Sequence, residues 1–120
     1  MKIFHLILIS LLILSASSCV QKAYKKTVVI NLTVHNIKDI KTVGIRGNGK
    51  PLSWDADFEM NTVVKDSFYT AIASTLTGYK FAEIKFTVNG EFELKEQPNR
   101  RVVFSEGDTT YYNAVFNLNK

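Results

Sequence analysis

The chain has 120 residues, with 15 Lys and Arg against 11 Asp and Glu, two His and one Cys. That length holds one domain, and a 46% apolar share beside 22% charge excludes a disordered or collagen-like chain. One cysteine excludes an internal disulfide framework, and a dispersed excess of +4 excludes the basic stripe that nucleic-acid binding needs.

Met1-Lys2 supplies one positive charge, and Ile3 to Leu14 is almost wholly aliphatic, interrupted by His5 and Ser10. The run is shorter than the about 20 residues that cross a bilayer core and has the length of a secretory signal's hydrophobic region. Ser15-Ala16-Ser17-Ser18 then lead to Cys19. The segment resembles a bacterial lipoprotein signal, in which cleavage precedes the cysteine and the thiol carries lipid. Small residues fit a peptidase cleft, and a thiolate is the side chain most easily alkylated. Several acyl chains, at about 0.8 kcal/mol per buried CH₂, make such an anchor close to permanent. The resemblance implies that residues 1–18 are removed, that Cys19 is lipidated, and that the protein sits on the bacterial cell envelope, expected at the outer membrane. The alternative is an ordinary signal followed by an unmodified cysteine. Residues 19–26 read as a solvated, weakly basic tether to a domain at 27–120.

Thr27 to Val34 alternates, with Val28, Ile30, Leu32 and Val34 on one face, the mark of a half-buried strand. Thr42 to Arg46 is a second short run, closed by the turn residues Gly47-Asn48-Gly49 and Pro51. Ser67 to Ala73 is a third. Tyr79 to Val88 is the clearest, with Ala82, Ile84, Phe86 and Val88 on one face and Phe81, Glu83, Lys85 and Thr87 on the other. Asn89-Gly90 signals a hairpin into Glu91 to Leu94. Arg101 to Phe104 and Thr109 to Phe116 complete the chain. About seven short strands in roughly 100 residues predict an antiparallel β-sandwich.

Catalytic chemistry is poorly represented. His35 closes the first strand and reads as a surface residue. The carboxylate pairs Asp55/Asp57 and Glu91/Glu93 have the residue types of glycoside hydrolysis, yet in a turn and on a strand they read as solvated charges. No glycine-rich phosphate loop, metal-ligand spacing or nucleophile elbow is present, so the chain reads as non-catalytic, without cofactor or metal.

Two stretches stand out. Gly44-Ile45-Arg46-Gly47-Asn48 leads to Pro51-Leu52-Ser53-Trp54-Asp55, and Glu83-Ile84-Lys85-Phe86 leads through Glu91-Phe92-Glu93 to Gln97-Pro98-Asn99-Arg100. Flat aromatic faces meet the C–H groups of sugars while amide and ammonium donors fix the hydroxyls, and Trp is the largest such face. Trp54 is therefore a candidate sugar contact, or else a lid over one end of the sandwich.

In the order and spacing of these features the chain, from about residue 27 to 117, resembles the family-20 starch-binding modules and related glycogen-binding domains. The resemblance implies an immunoglobulin-like sandwich that binds an α-glucan. Carried over by position, the binding residues are Trp54, Lys85 and Asn99, with Phe92 where the family has a second stacking Trp. Phe offers less area and no N–H, so the resemblance implies weaker binding than the family's norm. The family's second site falls near Asp39 and on Phe68, and no second site is expected. The implied function is a lipid-anchored, non-catalytic α-glucan binder working beside a separate glycan-degrading enzyme, with no nucleic-acid partner. The rival is a structural or partner-binding envelope lipoprotein that kept the sandwich and lost the sugar.

Overall fold

The computed structural model describes residues 22–119, and Cys19 and the signal lie outside them. The described residues form nine strands and no helix: β1 (Tyr24–Thr33), β2 (Val43–Gly47), β3 (Phe58–Glu59), β4 (Asn61–Val64), β5 (Phe68–Thr77), β6 (Phe81–Val88), β7 (Glu91–Phe92), β8 (Arg100–Val103) and β9 (Thr109–Val115). One sheet runs β4-β5-β1-β9. The other runs β3-β2-β6-β7, with β8 also pairing β6. The chain is an all-β sandwich.

Period-two patterning builds the core. Val28, Ile30 and Leu32 of β1 point inward beside Tyr69, Ala71 and Ala73 of β5, while Ile45, Ile84, Phe86, Val88 and Val102 come from the other sheet. Phe86 and Leu32 are fully buried. The outward face of β1 is polar, and Asn31 bridges its neighbours: its Nδ2 donates to Asn113 Oδ1 at 2.9 Å, and its Oδ1 accepts from Thr70 Oγ1 at 2.8 Å. The Asn89-Gly90 turn has φ values of 50° and 81°. That pair of positive angles matches the right-handed twist of the flanking strands.

The structure departs from the sequence expectation in five places, one of them β5, which runs on to Thr77 instead of ending at Ala73. β3 and β4 were not anticipated, because β4 is exposed along its whole length and carries no alternation. β1 starts at Tyr24, three residues inside the supposed tether. Lys26 is held there, its Nζ donating to the carbonyls of Ser105, Glu106 and Gly107 at 2.9, 3.3 and 2.9 Å. β9 pairs with β1 in parallel, so the sandwich is not wholly antiparallel. Finally, only Glu91 and Phe92 pair after the hairpin, because the chain turns inward at Leu94, whose φ is 47°.

That inward turn corrects the reading of Glu93 as a solvated charge. Its carboxylate is fully buried and meets Arg100, Nε to Oε2 at 2.6 Å and Nη2 to Oε1 at 2.8 Å. The Phe86 N–H donates to Oε2 at 3.0 Å and the Asn117 N–H to Oε1 at 3.1 Å. Arg100 Nη2 also donates to the carbonyls of Val115 and Leu118, at 2.8 and 2.9 Å. The pair thus joins β6, β8 and the segment after β9. Burial by itself would lower the Arg100 pKa. The Glu93 carboxylate, with help from Tyr112, outweighs it and holds the guanidinium above the ordinary arginine value.

Candidate functional site

Of the candidate residues, Lys85 lies on β6 and Phe92 on β7, while Trp54 and Asn99 lie in the loops after β2 and before β8. On the outer face of the five-stranded sheet, the register of β2 with β6 sets Arg46 opposite Lys85 and Gly44 opposite Thr87. β7 adds Phe92 opposite Thr87.

Arg46 is the centre of this face. Its Nε donates to Asp57 Oδ1 at 2.6 Å, and its Nη1 donates to the Trp54 carbonyl at 2.9 Å. The guanidinium carbon lies 5.2 Å from the centre of the Phe92 ring, within the range of a cation–π contact. Asp57 Oδ1 also accepts from Thr87 Oγ1 at 2.9 Å. Asp57 can lie across the sheet only because residue 44 is glycine: a Cβ there would stand 2.5 Å from Asp57 Cγ. The Asp55/Asp57 pair is therefore split, Asp55 exposed and Asp57 tied to Arg46.

Trp54 and Phe92 are each 37% exposed, and Arg46 touches the ring of Phe92 and the backbone of Trp54. They face different hollows. Trp54 borders a shallow depression between residues 47–53 and the Ser74–Leu76 stretch of β5. Phe92 borders another with Ile37, Val88, Lys95 and Phe116. Lys85 reaches over the loop after β7, its Nζ donating to the carbonyls of Leu94 and Gln97 at 3.0 and 3.0 Å. Asn99 Nδ2 donates to Glu83 Oε2 at 3.4 Å, and its side chain is otherwise exposed. Lys85, Phe92 and Asn99 are tied to β6 and β7 of the five-stranded sheet, whereas the Trp54 ring borders β5 of the other sheet; only Phe92 and the Trp54 backbone meet through a common partner, Arg46. Lys85 and Asn99 already hold protein acceptors. His35 is exposed. Among the described residues no cluster of three metal-ligating side chains forms.

Sequence reasoning singled out the stretch containing Arg46 without giving that residue a role. The signal was there: a charged residue between two glycines in a short strand, with a carboxylate eleven residues on. Pairing across strands is what turns that pattern into a fixed guanidinium.

No family model matches the chain, and no curated protein matches it.

Proposed function

We propose that the protein is a non-catalytic carbohydrate-binding lipoprotein that holds an α-glucan on the cell envelope. One observation carries the reading: a guanidinium immobilised by Asp57 lies against the partly exposed Phe92 ring and holds the backbone carbonyl of Trp54, whose own ring is partly exposed. Stacking faces around a fixed donor are the groups that recognise sugar rings and their hydroxyls. Because the rings face separate hollows, each contacts a different part of an extended glucan. Arg46 touches the Phe92 ring and the Trp54 backbone, and Asn99 lies at the margin. Lys85 acts mainly by fixing the 94–97 loop beside Phe92.

A second reading is favoured by a specific fact. Lys85 and Asn99 are occupied by protein acceptors, as expected of a sandwich that serves as a scaffold or binds a protein partner. Affinity electrophoresis in starch gels separates the two. Residues 20–120 are expected to be retarded, and Phe92→Trp to be retarded further because it enlarges the stacking face. A folded domain that migrates freely, with Phe92→Trp no slower, supports the scaffold.

The anchor has its own test. Mass spectrometry of the membrane fraction is expected to show an acylated Cys19 at the mature N-terminus, and Cys19→Ala to release the protein or block its processing. A soluble mature protein starting elsewhere would remove the anchor from the proposal. A membrane-bound glucan binder without catalysis implies a separate glycan-degrading enzyme as its working partner.

A further inference from the structure

Between the two sheets, at the end where β1 begins, lies a cavity of about 110 Å³ that the glucan reading does not use. Its walls are Val28 and Ile30 of β1, Ala73 of β5, Ile84 of β6 and Val102 of β8, with Leu52 from the loop after β2. The space exists because two positions facing it, Ala73 and Ala82, carry only a methyl group. Elsewhere the same layer is filled by Leu32, Ile45 and Phe86. Cavities with such lining stay dry and take apolar guests, and one of about 150 Å³ accepts a six-carbon ring. A volume of 110 Å³ therefore suits about four or five methylenes.

The exposed lining residues Asn48, Gly49, Pro51, Tyr79 and Phe81 mark the mouth. Two segments frame it, residues 48–52 and 77–81. Each carries one exposed lysine, Lys50 and Lys80, and neither carries an acid. Behind the rim, Arg101 stacks on the outer side of Phe81 at 4.1 Å. Lys50 and Lys80 thus adjoin the mouth in sequence, and the walls are mainly apolar, broken by Thr75 and Thr77.

We propose that this cavity binds the tail of a single-chain alkyl carboxylate of about six carbons, with Lys50 and Lys80 holding the carboxylate at the rim. The rim charge selects an anionic head. The volume limits the buried tail to one short chain and excludes a two-chain lipid.

Residues 20–120 contain all nine strands and every core side chain, so this piece is used once a cooperative thermal transition confirms its fold. Isothermal titration with butanoate, hexanoate, octanoate and decanoate, each below its micelle concentration, is expected to show affinity rising about fourfold per methylene. The rise flattens once the cavity is full, near hexanoate. Octan-1-ol is expected to bind about tenfold more weakly than octanoate. The double variant Lys50→Ser/Lys80→Ser should remove that difference while leaving the alcohol's affinity unchanged. Ala73→Leu, which fills the cavity, should weaken octanoate more than tenfold. If Ala73→Leu does not fold, Ala82→Leu fills the same space and the lysine variant still reads the rim. Affinity independent of chain length, or a folded Ala73→Leu or Ala82→Leu that binds octanoate like the parent, would overturn the cavity. Equal binding of octanoate and octan-1-ol by the parent would overturn the role of the lysines. The 48–52 segment borders both this cavity and the hollow beside Trp54, so the two readings are separated by variants: Ala73→Leu is expected to lose octanoate and keep the parent's glucan retardation, and Trp54→Ala to do the reverse.

Discussion

Glu93→Ala is expected to cost about 3–5 kcal/mol of folding stability, the penalty for leaving one member of a buried ion pair without its partner. A domain of this size has about 5–15 kcal/mol in total, so the variant stands near the edge of folding. With a urea slope of about 1–3 kcal/mol/M, the midpoint should fall by roughly 2 M. The loss has two parts. Arg100, 4% exposed, would face the interior with no carboxylate. The Phe86 and Asn117 N–H groups would lose their acceptor, and each buried donor left unpaired costs about 1–3 kcal/mol. The double variant Glu93→Leu/Arg100→Met removes the stranded charge but still orphans those donors. It is therefore expected to lose less than the sum of Glu93→Leu and Arg100→Met in a double-mutant cycle. A Glu93→Ala midpoint within about 0.3 M of the parent would mean that the pair does not hold the C-terminal segment.

Trp54→Ala is expected to reduce glucan affinity by about 2 kcal/mol, roughly thirtyfold, as truncation of an aromatic anchor commonly does. The same substitution should also cost some stability, because most of the residue is covered at 37% exposure, although the bond to Arg46 uses the backbone carbonyl of residue 54, which alanine keeps. The sugar affinity of the folded variant is what separates a contact from a lid. A lid over the sandwich end would lose stability and leave the sugar unaffected.

Much of the architecture was legible in the sequence because burial there follows local alternation. β1 and β6 present to the core the residues that their period-two pattern names, and Asn89-Gly90 makes the turn that its positive φ values suit. What escaped depends on partners distant in the chain. Glu93 reads as one of two surface acids until Arg100 and the segment after β9 close around it. The parallel pairing of β9 with β1 has no local signature, because the same alternating residues suit either direction. β3 and β4 are short edge strands whose pairing, not their hydrophobicity, defines them. At the candidate site, Trp54 was legible as a residue type that meets sugars, and Lys85, Phe92 and Asn99 were implied only by the resemblance to starch-binding modules. Their geometry was not legible. Arg46 and Asp57 organise that face, and their contact rests on the absence of a side chain at Gly44, which only the folded sheet reveals.

Isothermal titration of a cyclic maltooligosaccharide into residues 20–120, with Trp54→Ala run alongside, tests the central claim most directly. The expected result is a dissociation constant between about 10 µM and 1 mM for the parent, equivalent to roughly −7 to −4 kcal/mol, and a signal near the detection limit for the variant. A flat titration of the folded parent at millimolar sugar, or equal affinities for parent and variant, would contradict the proposal that Trp54 serves an α-glucan.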